Sequence, residues 1–244
     1  MKLDAWASKC FELMALSPST HKVYKQKYNC RISPVFGHLE MDEISQEQVQ
    51  LWILELSPSL AKWHLPILKS LFREAIKYGL CSSNPTDVKV PSYLPKQRDW
   101  MPWSELKELD FGRYTELVRF LALHGLRYSE ALALTPEDVD QWVHINKSTH
   151  GPTTKGKKER KVPYLGHYQE FPRSYKWLRI NMAKHGITPH SLRYTYAHLC
   201  KTQGIHPQVA QKLLGHSSIT LTLDLYTRVL DDELEDAADK LRSA

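Results

Sequence analysis

Apolar residues recur at helical spacing over the first 80 residues of the chain, and this pattern predicts a bundle of amphipathic helices. The first predicted helix covers residues 3–16 and has an inner face of Leu3, Trp6, Ala7, Cys10, Leu13 and Met14. The longest covers residues 59–78, and its inner residues are Trp63, Ile67, Leu71, Phe72 and Ala75. We therefore expect an all-helical domain over residues 1–90.

Polar residues mark the helix ends in this first domain. Ser17-Pro18-Ser19-Thr20 should end the first helix and cap a second one, which carries Val23, Tyr24 and Tyr28 on one side. Ser45 and Gln48 have the spacing of a capping box at the start of a further helix. Gly79 should stop the longest helix.

The pattern changes after residue 90. Two prolines and polar residues in 91–100 predict an extended linker, and helices resume at Ser104 and over 113–124. Residues 142–145 and 160–164 are short β-type runs, and the segment between them has hairpin-turn residues. Thr188-Pro189 should begin a helix, and three more are expected over 207–214, 219–229 and 231–241. The predicted fold is therefore mainly α with a small antiparallel β-sheet, in which 101–244 form the second domain.

Charge is distributed unevenly along this second domain. The net charge of the chain is only +6, but residues 144–184 carry ten Lys or Arg and two acidic residues. Residues 224–244 carry seven acidic and three basic residues. A basic middle followed by an acidic tail favours a face that binds a polyanion and an end that avoids it. An ordinary solvated surface is the alternative interpretation.

Four motifs in the second half of the chain carry side chains suited to chemistry at a phosphodiester. They are Gly125-Leu126-Arg127-Tyr128-Ser129-Glu130, His190-Ser191-Leu192-Arg193, Leu214-Gly215-His216 and Tyr226. Arginines can neutralise a pentacoordinate phosphorus, histidines can move protons, and a tyrosine can supply an oxygen nucleophile. The order and context of these motifs resemble the tyrosine recombinase (phage integrase) family. Weaker matches in the first domain, such as Phe36-Gly37 and Asn84-Pro85, resemble the helical core-binding domain of that family.

The resemblance implies a role for each of these residues. Arg127 and Arg193 would bind the scissile phosphate, and Glu130 would support the site from behind. His190 would shuttle a proton, and His216 would donate a hydrogen bond to a non-bridging oxygen.

Tyr226 would be the nucleophile, and the cation cluster should lower its pKa from the ordinary value of about 10. The leaving-group acid of the family lies in a β-hairpin turn, and Lys155 fits that place, with Lys157 as the alternative. The same hairpin supplies the residues predicted to contact DNA, which are Lys157, Lys158, Arg160 and Lys161.

The resemblance thus implies a site-specific DNA recombinase that forms a 3′-phosphotyrosyl intermediate and needs no metal or other cofactor. Such an enzyme would integrate or excise a phage or another mobile element in the cytoplasm of a bacterial host. Its partners would be duplex DNA, three further copies of the chain in a tetramer on two sites, and accessory DNA-bending or directionality factors. The acidic tail should dock on a neighbouring copy. A non-catalytic DNA-binding protein and a relaxing topoisomerase are the alternatives.

Overall fold

The chain folds into two compact units, Met1–Lys96 and Gln97–Ala244, and the boundary between them falls inside the predicted linker. The computed structural model describes residues 1–92, 99–149, 151, 159–226 and 238–242. Each unit has an apolar core of its own. Helices dominate and one two-stranded antiparallel sheet accompanies them, which confirms the predicted fold class. Across the described ranges, no helix is long and apolar enough to span a membrane.

The named elements of the N-terminal unit are all helical. They are α1 (Leu3–Leu13), α2 (Pro18–Lys27), a π-helical turn (Tyr28–Ile32), α3 (Ser33–Phe36), a 3-10 turn (Met41–Glu43), α4 (Gln46–Glu55) and α5 (Pro58–Lys77). The predicted capping box of α4 is confirmed, because Ser45 Oγ accepts from the Gln48 N–H at 3.2 Å and Gln48 Oε1 accepts from the Ser45 N–H at 2.8 Å. The indole of Trp6 donates to the Leu71 carbonyl at 2.9 Å and joins α1 to α5.

Two residues predicted to face the core of this unit are exposed. Leu13 is 51% exposed because the buried stripe of α1 runs toward Phe11, and Leu13 lies beyond its other edge. Trp63 is 61% exposed, and the ammonium of Lys27 lies 3.9 Å from the centroid of its ring. A cation over the face of an indole is an attractive contact that keeps part of the ring from water. Both inward predictions are therefore wrong.

The C-terminal unit combines short helices with the sheet. Its elements are α6 (Trp103–Leu106), a 3-10 turn (Gly112–Tyr114), α7 (Thr115–His124), α8 (Tyr128–Ala131), a 3-10 turn (Pro136–Asp138), β1 (Trp142–Ile145), β2 (Arg160–Pro163), α9 (Tyr175–Ala183), α10 (Leu192–Thr202), α11 (Pro207–Leu214) and α12 (Ile219–Tyr226). The strands pair antiparallel with Val143 opposite Val162, and both valines are fully buried. Residues 150 and 152–158 of the predicted hairpin turn, and most of the predicted tail helix, lie outside the described residues.

Helix α7 lies in the centre of this unit and ends where the first site motif begins. Its last residues are buried, and Gly125 closes it in the left-handed conformation with φ of 62°. Helix α10 packs against α7 and begins at Leu192, later than the predicted start at Thr188-Pro189. Thr188 and Ser191 instead close a turn, in which the side-chain oxygen of each accepts from the backbone N–H of the other. His190 therefore lies in the turn before α10.

The buried His124 makes the stability of this unit depend on pH. Its Nδ1 lies 2.7 Å from the Phe120 carbonyl, and its Nε2 accepts from the Leu165 N–H at 2.8 Å, so the ring is held neutral. Burial lowers the His124 pKa to about 4, because the hydrogen bond to Phe120 only partly offsets it. His124 therefore binds a proton below about pH 6.5 in the unfolded chain, but only below about pH 4 in the folded chain.

We expect the free energy of unfolding to fall as the pH decreases through this window. His124 should contribute about 2 kcal/mol of that loss between pH 7.5 and 4.5. Urea unfolding at the two pH values measures it, and His124→Gln should reduce the pH dependence although it lowers stability at pH 7.5. An equal dependence in His124→Gln would contradict the prediction.

Candidate functional site

Glu130 is the buried centre of a cluster of charged side chains in the C-terminal unit. It is 1% exposed and accepts four hydrogen bonds from two arginines. Arg127 donates from Nη1 to Oε1 and from its backbone N to Oε2, both at 2.8 Å. Arg160 donates from Nη1 to Oε1 at 3.2 Å and from Nη2 to Oε2 at 2.7 Å. Burial alone would raise the Glu130 pKa, but Arg160 and then Arg127 outweigh it and lower that pKa to about 2.

Arg160 also holds the turn that leads to His216. Its Nε donates to the Leu213 carbonyl at 2.9 Å, and its side chain is 8% exposed. Gly215 lies against it with φ of 65°, and a Cβ on that residue would lie 3.0 Å from Cδ and Nη1 of Arg160. The backbone conformation therefore favours glycine at this position, and a larger residue would press on the Arg160 side chain. Arg160 was predicted to contact DNA, but the structure places it in the interior.

Arg193 connects the same turn to the end of α7. Its Nη1 donates to the Gly125 carbonyl, and its Nη2 donates to the Leu214 carbonyl at 2.7 Å. Arg160 and Arg193 thus bind consecutive carbonyls at the C-terminal end of α11, where the helix dipole favours cations. Burial, followed by the charges of Arg127 and Arg160, lowers the Arg193 pKa to about 9, so the guanidinium stays protonated at neutral pH.

His216 lies among these guanidinium groups and is held by α12. Its Nδ1 lies 2.9 Å from Oγ1 of Thr222, a fully buried residue. When the threonine hydroxyl donates, Nδ1 accepts and the ring proton resides on Nε2. Burial and the nearby charges of Arg193, Arg127, His190 and Arg160 lower the His216 pKa to about 4. The ring is therefore neutral at pH 7 and can donate from Nε2.

His190 is exposed in the turn before α10, and its ring lies 6.1 Å from that of Tyr194. It is close enough to His216 to lower the pKa of that residue. The structure therefore brings together Arg127, Glu130, Arg193, His190 and His216 from three separate sequence motifs.

Tyr226 is turned away from this cluster. Its hydroxyl donates to the Ile205 carbonyl at 3.1 Å, and its ring packs against a small core that includes Tyr196 and Cys200. Burial and, after it, the Cys200 thiol raise the Tyr226 pKa above its usual value. The expected lowering by the cation cluster is wrong for this conformation, because the hydroxyl bonds a carbonyl and a thiol.

The hairpin lysines can be compared with the structure only in part. Lys155, Lys157 and Lys158 lie outside the described residues. Lys161 is exposed, and its ammonium lies 4.5 Å from the centroid of the Trp142 ring. Lys161 is thus on the surface of β2, as a residue that contacts DNA must be.

Two residues of the cluster were not given these roles from the sequence. Arg160 was grouped with the hairpin lysines, because a basic residue in a basic run gives no sign of a buried partner 30 positions away. Thr222 was given no role from the sequence. Its spacing of six residues from His216 was the available signal, but spacing shows no hydrogen bond.

The cluster is suited to binding an anion. Three guanidinium groups and two histidines surround one buried carboxylate, which leaves an excess of two positive charges when both histidines are neutral. Like charges held together in a partly dry site are stabilised by a negatively charged ligand. A phosphate group, whose geometry matches forked guanidinium donors, is such a ligand.

Comparisons with known proteins find similarity to integrases in both units. The family model described as "Phage integrase, N-terminal SAM-like domain" matches residues 14–57, and the one described as "Phage integrase family" matches residues 166–233. A protein of Pseudothermotoga lettingae named "Tyrosine recombinase" is 26% identical over 245 residues, with 83% of this chain and 84% of the relative covered.

Solved structures share the fold at low sequence identity. The integrase of transposon Tn1549 in complex with a circular intermediate DNA is 17% identical with a TM-score of 0.78, and 98% of this chain and 99% of that one are covered. A lambda integrase tetramer bound to a Holliday junction is 18% identical with a TM-score of 0.76, and 95% of this chain and 80% of that one are covered.

Proposed function

Because this chain belongs to the tyrosine recombinase (phage integrase) family, an enzyme class that cleaves and rejoins DNA, we propose that it is a site-specific recombinase acting through a 3′-phosphotyrosyl intermediate. The observation that carries the proposal is the convergence of Arg127, Arg193 and His216 around the single carboxylate of Glu130. A scissile phosphate is the ligand that this excess of positive charge would neutralise.

In the proposed reaction, Tyr226 Oη attacks the phosphorus and the bond to the 5′-oxygen breaks. Arg127 and Arg193 bind non-bridging oxygens, and His216 donates to one of them from Nε2. His190 accepts the tyrosine proton, and Lys155 protonates the departing 5′-oxygen. The 5′-hydroxyl of another strand then attacks the phosphotyrosine and releases the enzyme. Each step exchanges one phosphate ester for another, so the reaction requires no energy source.

Tyr226 must leave the Ile205 carbonyl before it can attack. Once its hydroxyl is near the guanidinium groups, their charges lower its pKa and favour the phenolate. The docked conformation therefore corresponds to a resting nucleophile, and DNA binding must supply the free energy that displaces it.

Covalent trapping on DNA tests this mechanism. Duplexes taken from the DNA beside the coding gene, each with a nick that lets the cleaved fragment diffuse away, should give an SDS-stable adduct with the wild-type protein. Tyr226→Phe should give none. Tyr194→Phe is the matched control, because this tyrosine also lies close to the site, beside His190. The proposal is overturned if the wild type forms no adduct with any of the fragments that it binds. It is also overturned if Tyr226→Phe forms an adduct.

The contact between His216 and Thr222 leads to a narrower prediction. Thr222→Val keeps the shape of the buried side chain but removes the hydroxyl that sets the ring proton on Nε2. We expect single-turnover cleavage to slow about 10-fold, since a misplaced donor loses most of one transition-state hydrogen bond. Thr222→Ser, which keeps the hydroxyl, should cleave at close to the wild-type rate. Equal rates for the valine and serine variants would contradict the assigned role.

The two units have separate roles in this proposal. Residues 1–90 would form a core-binding domain, residues 91–100 a linker and residues 101–244 the catalytic domain. Lys157, Lys158 and Lys161 would contact DNA phosphates, so binding should weaken steeply with added salt. The enzyme would work in the cytoplasm of a bacterial host, with accessory DNA-bending factors as further partners.

We also propose that the chain is a monomer in solution and a tetramer on two DNA sites. The fold is shared with an integrase described as a tetramer on a Holliday junction. The tail is acidic, and Leu241 in the described segment 238–242 is 79% exposed, so this end has an apolar side chain available for a neighbouring copy. Deletion of 231–244 should leave single-site binding intact and abolish pairing of sites in gel-shift assays. Wild-type pairing by the truncated protein would refute the exchange.

A phage or another mobile element is the proposed substrate, since both family models are those of phage integrases. A plasmid with two copies of the trapped site should undergo excision or inversion, depending on the orientation of the sites. Relaxation of a supercoiled plasmid that lacks the site would favour a topoisomerase instead.

A further inference from the structure

We propose that Arg160 is a positioning residue for DNA strand cleavage, which holds Glu130 and Arg127 on one side and the turn before His216 on the other. This inference rests on the proposed function and adds a residue to it. Arg160 would not touch the DNA; it would act through the groups that do.

Every nitrogen of the Arg160 guanidinium group has a partner within the protein. Nη1 and Nη2 bind the two oxygens of Glu130, and Nε binds the Leu213 carbonyl, so all three nitrogens of the guanidinium group donate in one plane. A lysine could not make this three-point contact, because its ammonium is a point donor. The side chain is 8% exposed, and its three nitrogens are already committed to Glu130 and Leu213.

Arg160 also keeps Arg127 available for the phosphate. Glu130 is shared by two guanidinium groups, and Arg127 is the more exposed of them, with 28% of its side chain accessible. Because Arg160 supplies two of the four hydrogen bonds to the carboxylate, Arg127 is not its sole counter-ion. Without Arg160, the buried carboxylate would draw Arg127 inward, and less of that positive charge would remain for the phosphate.

Arg160 also contacts the segment that precedes His216. Arg160 lies against Gly215, which directly precedes the histidine, and binds the carbonyl of Leu213, three positions before it. Arg160 is also the first residue of β2 and follows Lys155 by five positions in the sequence. One side chain thus connects the strand that follows the hairpin to both halves of the phosphate site.

The test separates DNA binding from cleavage. Arg160→Gln and Arg160→Lys should bind a single site within about 3-fold of the wild type and with nearly the same salt dependence, because Arg160 itself contacts no phosphate in this proposal. Single-turnover cleavage at saturating protein should slow about 50-fold in Arg160→Gln and somewhat less in Arg160→Lys. Lys161→Gln is the matched control from the next position on β2, since its exposed ammonium should affect binding and salt dependence more than cleavage.

Two further measurements separate positioning from general loss of structure. In a Glu130→Gln background, Arg160→Gln should slow cleavage much less than the about 50-fold expected in the wild type, because the contact with Glu130 is already lost and only the contact with Leu213 remains to be removed. A 5′-bridging phosphorothiolate, whose sulfur leaves without protonation, should restore cleavage by Lys155→Ala but not by Arg160→Gln. Unfolding midpoints of both Arg160 variants would show whether the fold persists, and Arg160→Lys serves if the glutamine variant is unfolded.

The proposal is overturned if a folded Arg160 variant cleaves within about 3-fold of the wild type, or if its defect disappears at saturating protein and is accompanied by a weaker salt dependence. The second result would assign Arg160 to direct DNA contact. Both results require that the wild type forms the Tyr226 adduct. Failure of the wild type itself would refute the proposed function and is a different outcome.

Discussion

Arg193→Lys should reduce single-turnover DNA cleavage about 1,000-fold, although the substitution keeps the formal charge. Arg193 is 2% exposed, and its two terminal nitrogens bind carbonyls of α7 and α11 at once. Arg193 reaches the carbonyls of Gly125 and Leu214 with two separate nitrogens, and a lysine, whose donors lie on one nitrogen, does not reproduce this forked geometry. One carbonyl would be left without a partner in the interior, which costs about 1–3 kcal/mol.

The lysine of the variant would also lose part of its positive charge, because its pKa would fall. Burial and the neighbouring guanidinium groups already lower the Arg193 pKa to about 9 from its much higher usual value. A lysine starts from about 10.4, so the same surroundings would bring its pKa close to neutrality. The variant would thus lose both the fork and part of the positive charge that the phosphate requires.

Cleavage of the nicked duplex at saturating protein measures the effect. Arg179→Lys on the exposed surface of α9 is the control, and its cleavage rate should equal that of the wild type. A rise in pH from 7 to 8.5 should reduce the residual activity of Arg193→Lys further, because the buried lysine would lose its proton. An Arg193→Lys rate within about 10-fold of the wild type would show that charge alone suffices at this position.

Much of the architecture could be predicted because local signals were strong. The capping box of Ser45 and Gln48, the bounds of α11 and the pairing of β1 with β2 follow from side-chain chemistry and alternation, and the structure confirms them. The errors at Leu13 and Trp63 arose at the edges of helical stripes. There, the choice between core and surface depends on neighbouring helices, which the local pattern does not contain.

In the candidate site too, the sequence predicted some features, and others depend on contacts between distant residues. The resemblance of the motifs to the tyrosine recombinase family identified Arg127, Arg193 and His216 as a group, and the structure brings them together. The partners of Arg160 lie 30 and 53 positions away, so no sequence window contains them. The docking of Tyr226 on the Ile205 carbonyl is likewise a choice between conformations, and the identity of a nucleophile does not reveal where it rests.

Gly125→Ala should destabilise the C-terminal unit by about 4 kcal/mol, a large fraction of the stability of an ordinary domain. Gly125 has φ of 62°, a conformation that costs alanine about 1–2 kcal/mol. In addition, a Cβ at this position would overlap the ring of Tyr196, which is 4% exposed and cannot move into solvent. The ring would have to shift within a close-packed core, which adds about 1–3 kcal/mol.

Gly204→Ala separates the two contributions. Gly204 follows α10 with φ of 68°, and a Cβ there meets no atom within 4 Å, so this variant should lose only about 1–2 kcal/mol. Urea unfolding of both variants gives the difference, which measures the overlap with Tyr196. Adding Tyr196→Leu to Gly125→Ala should make the two losses less than additive by at least about 1 kcal/mol, because the smaller side chain removes the overlap. Additive losses, or equal losses for the two alanine variants, would contradict the packing argument.

Because the Gly125 carbonyl binds Arg193 and Tyr196 packs in the core that holds Tyr226, the folded fraction of Gly125→Ala should also cleave DNA more slowly than Gly204→Ala.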